Sequence, residues 1–375
     1  MKRILFLVSS MQGGGAERVA ALLSNHWAEQ GHEVVLMPTF SGRGECLYAL
    51  DERVRLDYLA DRVGKRGRSV INQVRRFVAL RKAMRETAPD VILSFLPHVN
   101  VAAILAASGL GVPVVVSERT YPPAMPLSRG LETMRRLTYS RSATVVVQTR
   151  RSLEWLSRCC PRARGCVIPN PVVHPLPVGE PEIDPGSVVD DSQRVALAVG
   201  RLGEEKGFEH LIAAFGNLAE HYPDWDLVIL GEGVERERLE AQRDAMSLSS
   251  RVHLPGRAGN VGDWYARSDL FVMSSRFEGF PNTLVEAMAH GLPVISFDCE
   301  TGPADIIEDS VNGVLVPPTE GWEGLSRAME ALMSNKDRRR QMGNAAVSVR
   351  LRFSPEHVMA AWNEVLVLRE MCVDA

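Results

Sequence analysis

No stretch of this sequence approaches the ~20 consecutive apolar residues of a membrane-spanning helix, so no spanning anchor is expected. The start, MKRILFLVSS, has the cations and short apolar run of a signal peptide. The run ends at Met11-Gln12-Gly13-Gly14-Gly15 without a small-residue cleavage site, and a first buried β-strand accounts for it better. Cysteine is sparse. Cys46, Cys159, Cys160, Cys166, Cys299 and Cys372 form no CxxC pair and no cluster with histidine. That argues against a disulfide framework or a zinc site and for free thiols in a reducing cytoplasm. No stacking-aromatic or recognition motif accompanies the cations, so nucleic acid is not an expected partner. Charged residues make up only 24% of the chain, and the 30 Gly and 22 Pro show no repeat, which excludes disordered, collagen-like and coiled-coil classes.

What is present is a 375-residue chain, 45% apolar, enough for two packed domains. Its net charge of −3 hides an asymmetry. Residues 1–175 hold 25 Lys+Arg against 13 Asp+Glu, a balance of +12; the remaining 200 hold 18 against 33, a balance of −15. A basic half joined to an acidic one implies an anionic partner for the first. Of the 43 cations 38 are Arg, whose planar fork suits phosphate.

Short, near-continuously apolar runs alternate with helical patterns, as in parallel sheets covered on both faces. The first half gives strands at Ile4–Ser9, Glu33–Pro38, Val91–Phe95, Val114–Ser117, Thr144–Gln148 and Cys166–Ile168. Val19, Leu22, Leu23 and Trp27 recur at helical spacing between the first two, over Ala16–Gln30. The second half gives Val195–Val199, Leu227–Leu230, Val252–Leu254, Leu270–Met273, Val294–Phe297 and Val314–Val316. The stretch Pro171–Gln193 is rich in Pro, Gly and acidic residues and shows no apolar period, so it reads as a linker. The expected organisation is an N-terminal domain over 1–175, a linker over 176–193 and a second domain over 194–354. A final helix over 355–375 would pack back on the first domain. The class is α/β: two Rossmann-like, doubly wound domains facing a cleft, with ligands bound beyond the carboxyl ends of the strands.

Three of those loops carry chemistry. Gly13-Gly14-Gly15-Ala16-Glu17-Arg18 lets backbone approach a ligand and offers helix N–H groups to an anion. It matches neither G-x-G-x-x-G nor the P-loop, and no acidic residue ends the second strand, which disfavours a dinucleotide cofactor. Gly200-Arg201-Leu202-Gly203-Glu204-Glu205-Lys206-Gly207 places two cations where they can clamp a diphosphate. In Arg276-Phe277-Glu278-Gly279-Phe280-Pro281-Asn282-Thr283-Leu284-Val285-Glu286, Thr283 to Glu286 fits a capping box, whereas Glu278 precedes the helix in a Gly/Pro loop. Two carboxylates bracketing a helix N-terminus can accept hydrogen bonds from sugar hydroxyls, with phosphate at the helix end between them. Asp224-Trp225-Asp226 has the D-x-D form of a metal site but stands at a strand start, so a turn is the better reading and no metal is expected.

The E-x7-E pattern from Glu278 to Glu286, with Gly279-Phe280-Pro281 inside it, resembles the signature of the retaining GT-B glycosyltransferases of family 4. So do Gly-Gly-Ala-Glu-Arg near the start, Gly-Arg-Leu…Glu-Lys-Gly, Ile168-Pro169-Asn170-Pro171 and Gly302-Pro303-Ala304-Asp305-Ile306-Ile307, in family order over nearly the whole chain. The resemblance implies a nucleotide-sugar donor on the second domain and no cofactor. Arg201 and Lys206 would neutralise the diphosphate, Glu286 would hold the ribose and Glu278 the transferred sugar. Backbone near Asn282, Thr283 and Leu284 would meet the phosphate, Gly14 and Gly15 would approach it, and Arg257 would join the donor site. Transfer would retain anomeric configuration, the departing phosphate deprotonating the acceptor. Many members have a histidine after the strand that here reads Val114-Val115-Val116-Ser117-Glu118-Arg119. Either Glu118 and Arg119 contact sugar or phosphate, or His98 takes that role from the previous loop with Asn100 beside it. Gly302 is a further candidate for the cleft. The variants resemble bacterial polysaccharide-assembly and lipopolysaccharide members, some using UDP-N-acetylhexosamines and polyprenyl-diphosphate-linked acceptors. A sugar-nucleotide epimerase of the same fold and a non-catalytic sugar-nucleotide or membrane-binding module are the alternatives.

Residues 62–85 contain Arg62, Lys65, Arg66, Arg68, Arg75, Arg76, Arg81, Lys82 and Arg85, with Val70, Ile71, Val74, Phe77, Val78 and Met84 at helical spacing. Such a basic amphipathic helix either lies on an anionic membrane or packs its stripe on the sheet with the cations solvated. Arg129, Arg135, Arg136 and Arg141 form a second basic set. The expected location is the cytoplasm, and on the first of those two readings the inner face of the plasma membrane.

Overall fold

The computed structural model describes residues 1–40, 44, 46–63 and 70–367. The sequence-predicted helix residues Lys65, Arg66 and Arg68, and Cys372, lie outside them. The chain divides into two compact units, Met1–Asn170 with Glu356–Ala375, and Pro171–Pro355.

The first unit is built on a seven-stranded parallel sheet in the order β3-β2-β1-β4-β5-β6-β7. Its strands are β1 Arg3–Val8, β2 Glu33–Pro38, β3 Arg55–Leu56, β4 Val91–Phe95, β5 Val114–Ser117, β6 Thr144–Val147 and β7 Gly165–Val167. The apolar runs fall where the sequence predicts them, because strands covered on both faces leave no polar side. The two-residue edge strand β3 is too short to show a pattern. One core packs Phe6, Trp27, Phe95 and Val146 against Trp362 of the terminal helix Pro355–Val367, and a second on the opposite face packs Leu5, Ile92, Val116 and Tyr139. The terminal helix is also tied down by Trp27 Nε1 donating to Asn363 Oδ1 at 2.9 Å and Lys2 Nζ to the Leu366 carbonyl at 2.8 Å.

The second unit has a six-stranded parallel sheet, β10-β9-β8-β11-β12-β13. Its strands are β8 Arg194–Val199, β9 Trp225–Leu230, β10 Val252–Gly256, β11 Leu270–Met273, β12 Val294–Phe297 and β13 Val314–Val316. The stretch expected to be a linker belongs to this unit. The Gly179 N–H donates to the Gly259 carbonyl at 3.1 Å, Ile183 N–H to Asn260 Oδ1 at 2.9 Å, and Trp264 Nε1 to the Ile183 carbonyl at 3.1 Å. Leu176, Ile183, Val188 and Val189 pack into its core. A segment without secondary structure shows no apolar period, so its burial was not visible in the pattern.

Both sheets are doubly wound. Each strand order reverses once, between β1 and β4 in the first unit and between β8 and β11 in the second. Two loops diverge at the carboxyl end of such a reversal and leave a crevice.

Candidate functional site

In the second unit the reversal is flanked by the loop after β8, Gly200–Gly207, and the loop after β11, Ser274–Pro281. Lys206 Nζ donates to Glu278 Oε1 across them at 2.7 Å, and Ser275 Oγ donates to the same oxygen at 2.7 Å. Both charged side chains are largely withdrawn from water, 20% and 11% exposed, so the pair acts at a lower effective dielectric than a surface pair. Ser274 Oγ donates to the Lys206 carbonyl at 2.9 Å, and Arg276 N–H to the Glu205 carbonyl at 2.9 Å, stitching the two loops together.

Gly207 fixes the path of the first loop. Its φ of +61° is left-handed, and a Cβ there would stand 2.4 Å from the Ser274 carbonyl oxygen. Gly302 does the same on the other side of Glu278. With φ at +101°, an added Cβ would meet Pro281 Cδ at 2.5 Å, while neighbouring Thr301 donates its hydroxyl to the Glu278 carbonyl. Glu278 is thus held by the loops following β8, β11 and β12.

The helix Asn282–Ala289 starts at this point. The expected capping box does not form: Pro281 is the N-cap, and no side chain caps the helix. The amides of Leu284 and Val285 both donate to the Pro281 carbonyl, so of the three candidate phosphate-binding amides Leu284 is already engaged. Glu286 faces inward instead. It is 5% exposed, and Tyr265 donates its hydroxyl to Glu286 Oε2 at 3.2 Å. Arg201 is 75% exposed and pairs with Glu205 Oε1 at 2.6 Å. Exposed Arg257 follows β10 at the same edge of the sheet.

The first unit brings together Ser9 after β1 and His98 after β4. His98 Nε2 lies 3.2 Å from Ser9 Oγ, and its ring packs edge-on against Phe40 at 4.3 Å. Burial holds the imidazole pKa below its ordinary value. The Tyr48 hydroxyl donates to the Gly14 carbonyl at 2.8 Å and accepts from the Gly14 N–H at 2.9 Å, so it covers the backbone of the triple-glycine loop. Gly15 opens the helix Gly15–Glu29.

The other candidates of that unit lie in its interior. Asn100, with 0% exposure, donates to the Ser117 carbonyl and the Tyr139 hydroxyl and accepts from Ser94 Oγ. Glu118 is 2% exposed, accepts from Tyr139 at 2.5 Å and lies 3.5 Å from Arg135. Desolvation raises its pKa and the Arg135 guanidinium opposes the rise. Arg119 lies 4.4 Å over the Phe95 ring and bonds Asn170; burial pushes its guanidinium down to about 9. Asn100 and Glu118 tie strands to helices inside the unit, Arg119 ties the end of β5 to Asn170, and all three side chains are buried. The second basic set is partly spent in the same way, Arg135 and Arg136 both pairing with Glu132.

Asp226, of the D-x-D sequence, sits at the amino end of its sheet. It is occupied by Arg251 Nε at 2.9 Å and His253 Nε2 at 2.8 Å. Among the described residues no group of three His, Cys, Asp or Glu side chains gathers as a metal site would require, and no helix is long and apolar enough to cross a membrane.

Ser275, Thr301 and Tyr265 were not singled out from sequence. A serine three residues before Glu278 is a weak local signal. Thr301 reaches the Glu278 backbone carbonyl, and Tyr265 the Glu286 carboxylate, only through tertiary packing.

Residues 13–174 match the model of Glycosyltransferase Family 4 and residues 180–349 that of Glycosyl transferases group 1. The amylovoran biosynthesis glycosyltransferase AmsD of Erwinia amylovora is 26% identical over 98% of this chain and 100% of its own length. An N-acetyl-D-galactosaminyltransferase of Campylobacter jejuni, named for an undecaprenol-PP-linked acceptor, is 26% identical over 98% of each. The chain spans 40% of the length of exopolysaccharide phosphotransferase SCO2592 of Streptomyces coelicolor, at 28% identity over 97% of this chain. Among solved structures, Anabaena Alr3699/HepE in complex with UDP and glucose superposes with a TM-score of 0.77 at 18% identity, covering 98% of this chain and 99% of that one. That likeness concerns the fold, two parallel-sheet Rossmann-like domains of the GT-B type.

Proposed function

The chain is a GT-B glycosyltransferase, a family 4 domain followed by a group 1 domain, and from that premise we propose that it transfers a sugar from a UDP-sugar to a polyprenyl-diphosphate-linked glycan with retention of configuration. The observation that carries the reading is the Lys206–Glu278 pair at the strand-order reversal of the second unit, beside the helix Asn282–Ala289 that no side chain caps. Lys206 and Arg201 are the cations of the loop after β8, and a diphosphate leaving group takes both. Glu205 releases Arg201 when the stronger anion arrives. Glu278, fixed by Lys206, Ser275 and Thr301, accepts hydrogen bonds from the transferred sugar, and Glu286 accepts from the ribose.

The bond between the anomeric carbon and the phosphate oxygen breaks as the acceptor oxygen bonds to that carbon on the same face. The acceptor proton passes to the departing phosphate. The protein's part is to stabilise charge on the leaving group with groups already in place, and it needs neither cofactor nor metal for that. The UDP of the Anabaena complex supports a UDP-sugar donor, the name of the Campylobacter relative an N-acetylhexosamine and a lipid-diphosphate acceptor, and that of AmsD a place in polysaccharide assembly.

The test is a panel of UDP-sugars incubated with polyprenyl-diphosphate-linked acceptors, the product anomer being read by NMR. Transfer with retention, dependent on Lys206, is the expected result. Inversion, or conversion of the donor to an isomer without acceptor, overturns the reading; so does binding without turnover on the whole panel.

A further inference from the structure

The helix Val70–Thr87 of the first unit packs by the side opposite to its most apolar one. Asn72, Leu80, Ala83, Met84 and Thr87 are buried against the unit, whereas Ile71, Val74, Phe77 and Val78 are 66%, 57%, 39% and 59% exposed. Two arginines also tie the helix to the unit. Arg76 bonds the Thr39 carbonyl, and Arg81 donates to the Ala106 and Ser108 carbonyls at 2.6 and 2.8 Å. A surface helix ordinarily turns its polar side to water, so a stripe of exposed branched aliphatics marks a contact surface.

We infer that this stripe docks the protein on an anionic phospholipid membrane. The charge around it selects the partner. From Arg62 to Arg85 the sequence carries cations and no Asp or Glu at all. Arg75 and Arg85 have no ion-pair partner among the described residues, while Lys82 reaches Glu86 at 3.7 Å and Arg62 pairs with Asp57 at 2.7 Å. A cavity of about 460 Å³ beside the stripe is lined by Val74 and Val78 together with Arg62, Arg75 and Lys82. Aliphatic walls rimmed by cations match the boundary between acyl chains and phosphate headgroups, where such helices lie in the plane of the interface.

The same features disfavour other occupants. A second copy meeting this face about a two-fold axis would set cations against cations. Single-stranded nucleic acid needs a series of ring faces for successive bases, and the helix stripe offers one, Phe77, among three branched aliphatics. The apolar surface also continues past the helix. Phe40, 51% exposed, sits under the Arg76 guanidinium at 5.4 Å and against His98, at the carboxyl edge of the sheet. Docking therefore brings that edge close to the lipid. The inference does not rest on the sugar-transfer reading, because vesicle binding is measured without donor or acceptor.

The experiment is flotation of the full chain with vesicles of phosphatidylcholine, alone or with about 30% phosphatidylglycerol. Binding is expected only to the anionic vesicles, and it should fall steeply between about 0.05 and about 0.5 M salt. The triple substitution Ile71→Ser, Val74→Ser, Val78→Ser, which removes no charge, should weaken partitioning by about tenfold or more. Arg75→Glu with Lys82→Glu should abolish the preference for anionic lipid. Both variants should melt with the wild type. Absence of wild-type binding to anionic vesicles at low salt overturns the inference, as does a serine variant that binds like the wild type. A wild-type dimer that the serine variant converts to monomer overturns it in favour of a second copy.

Discussion

The two units share one construction and use charge in opposite ways. Each is a doubly wound parallel sheet whose strand order reverses once, and in each a side-chain contact joins the two loops at the reversal. In the second unit that contact is an ion pair, Lys206–Glu278. In the first it is a neutral-range contact, His98 to Ser9, with the imidazole held below its ordinary pKa by burial. Yet the basic half of the sequence is the first and the acidic half the second. On the proposed reading, net charge does not locate the site for the anionic donor. Some arginines of the first unit are buried inside it, as Arg119 and Arg135 are, and others are exposed, among them Arg75 and Arg85 on the helix Val70–Thr87. The acidic second unit concentrates a few cations where three loops converge.

Breaking the ion pair should have the largest effect. Lys206→Ala and Glu278→Ala are each expected to lower kcat by about 10²–10³-fold, as losing one preorganised charge at a leaving group does, with melting nearly unchanged. If either variant turns over like the wild type, the charged reversal is not where the chemistry lies. Gly302→Ala probes the same loop through its backbone. The strained φ and the clash with Pro281 should cost about 1–3 kcal/mol of stability in a thermal melt and reduce turnover as Glu278 shifts.

Asn100→Ala sharpens the contrast from the other side. It strips buried Ser94 and Tyr139 of a partner, for an expected loss of about 2–3 kcal/mol, while kcat per folded molecule stays at the wild-type level. A selective loss of kcat without destabilisation would return Asn100 to the site. The smallest effect is expected of Tyr265→Phe, which loosens Glu286 without removing it. Donor KM should rise about fivefold, the worth of one hydrogen bond, at unchanged kcat.

Much of the fold was legible because burial on both faces writes itself locally. The runs Ile4–Ser9 and Val294–Phe297 read as strands and are strands, to within a residue. The packing of segment 176–193 was not legible, because its burial depends on Asn260 and Trp264, some 80 residues away along the chain, and leaves no period. The candidate carboxylates were legible from spacing alone, but not their environments. Thr283 and Glu286 fit a capping box by sequence, whereas the helix begins two residues earlier, with Pro281 as N-cap, and Glu286 turns to Tyr265. Glu118 and Arg119 follow a strand just as the residues of the second unit do, and only packing shows that they point into the interior.

The sequence by itself determined where strands end, and hence which loops are available for chemistry, because that follows from the hydropathy of neighbours in the chain. It also determined the excess of cations over residues 62–85. Only the tertiary structure decided that Lys206 meets Glu278, 72 residues away, because sheet order is set by packing between distant elements. The tertiary structure likewise decided that Ile71, Val74 and Val78 face out and Leu80 and Met84 face in. Helical spacing groups residues on one side of a helix, and which side is covered depends on the neighbours against which that helix comes to rest.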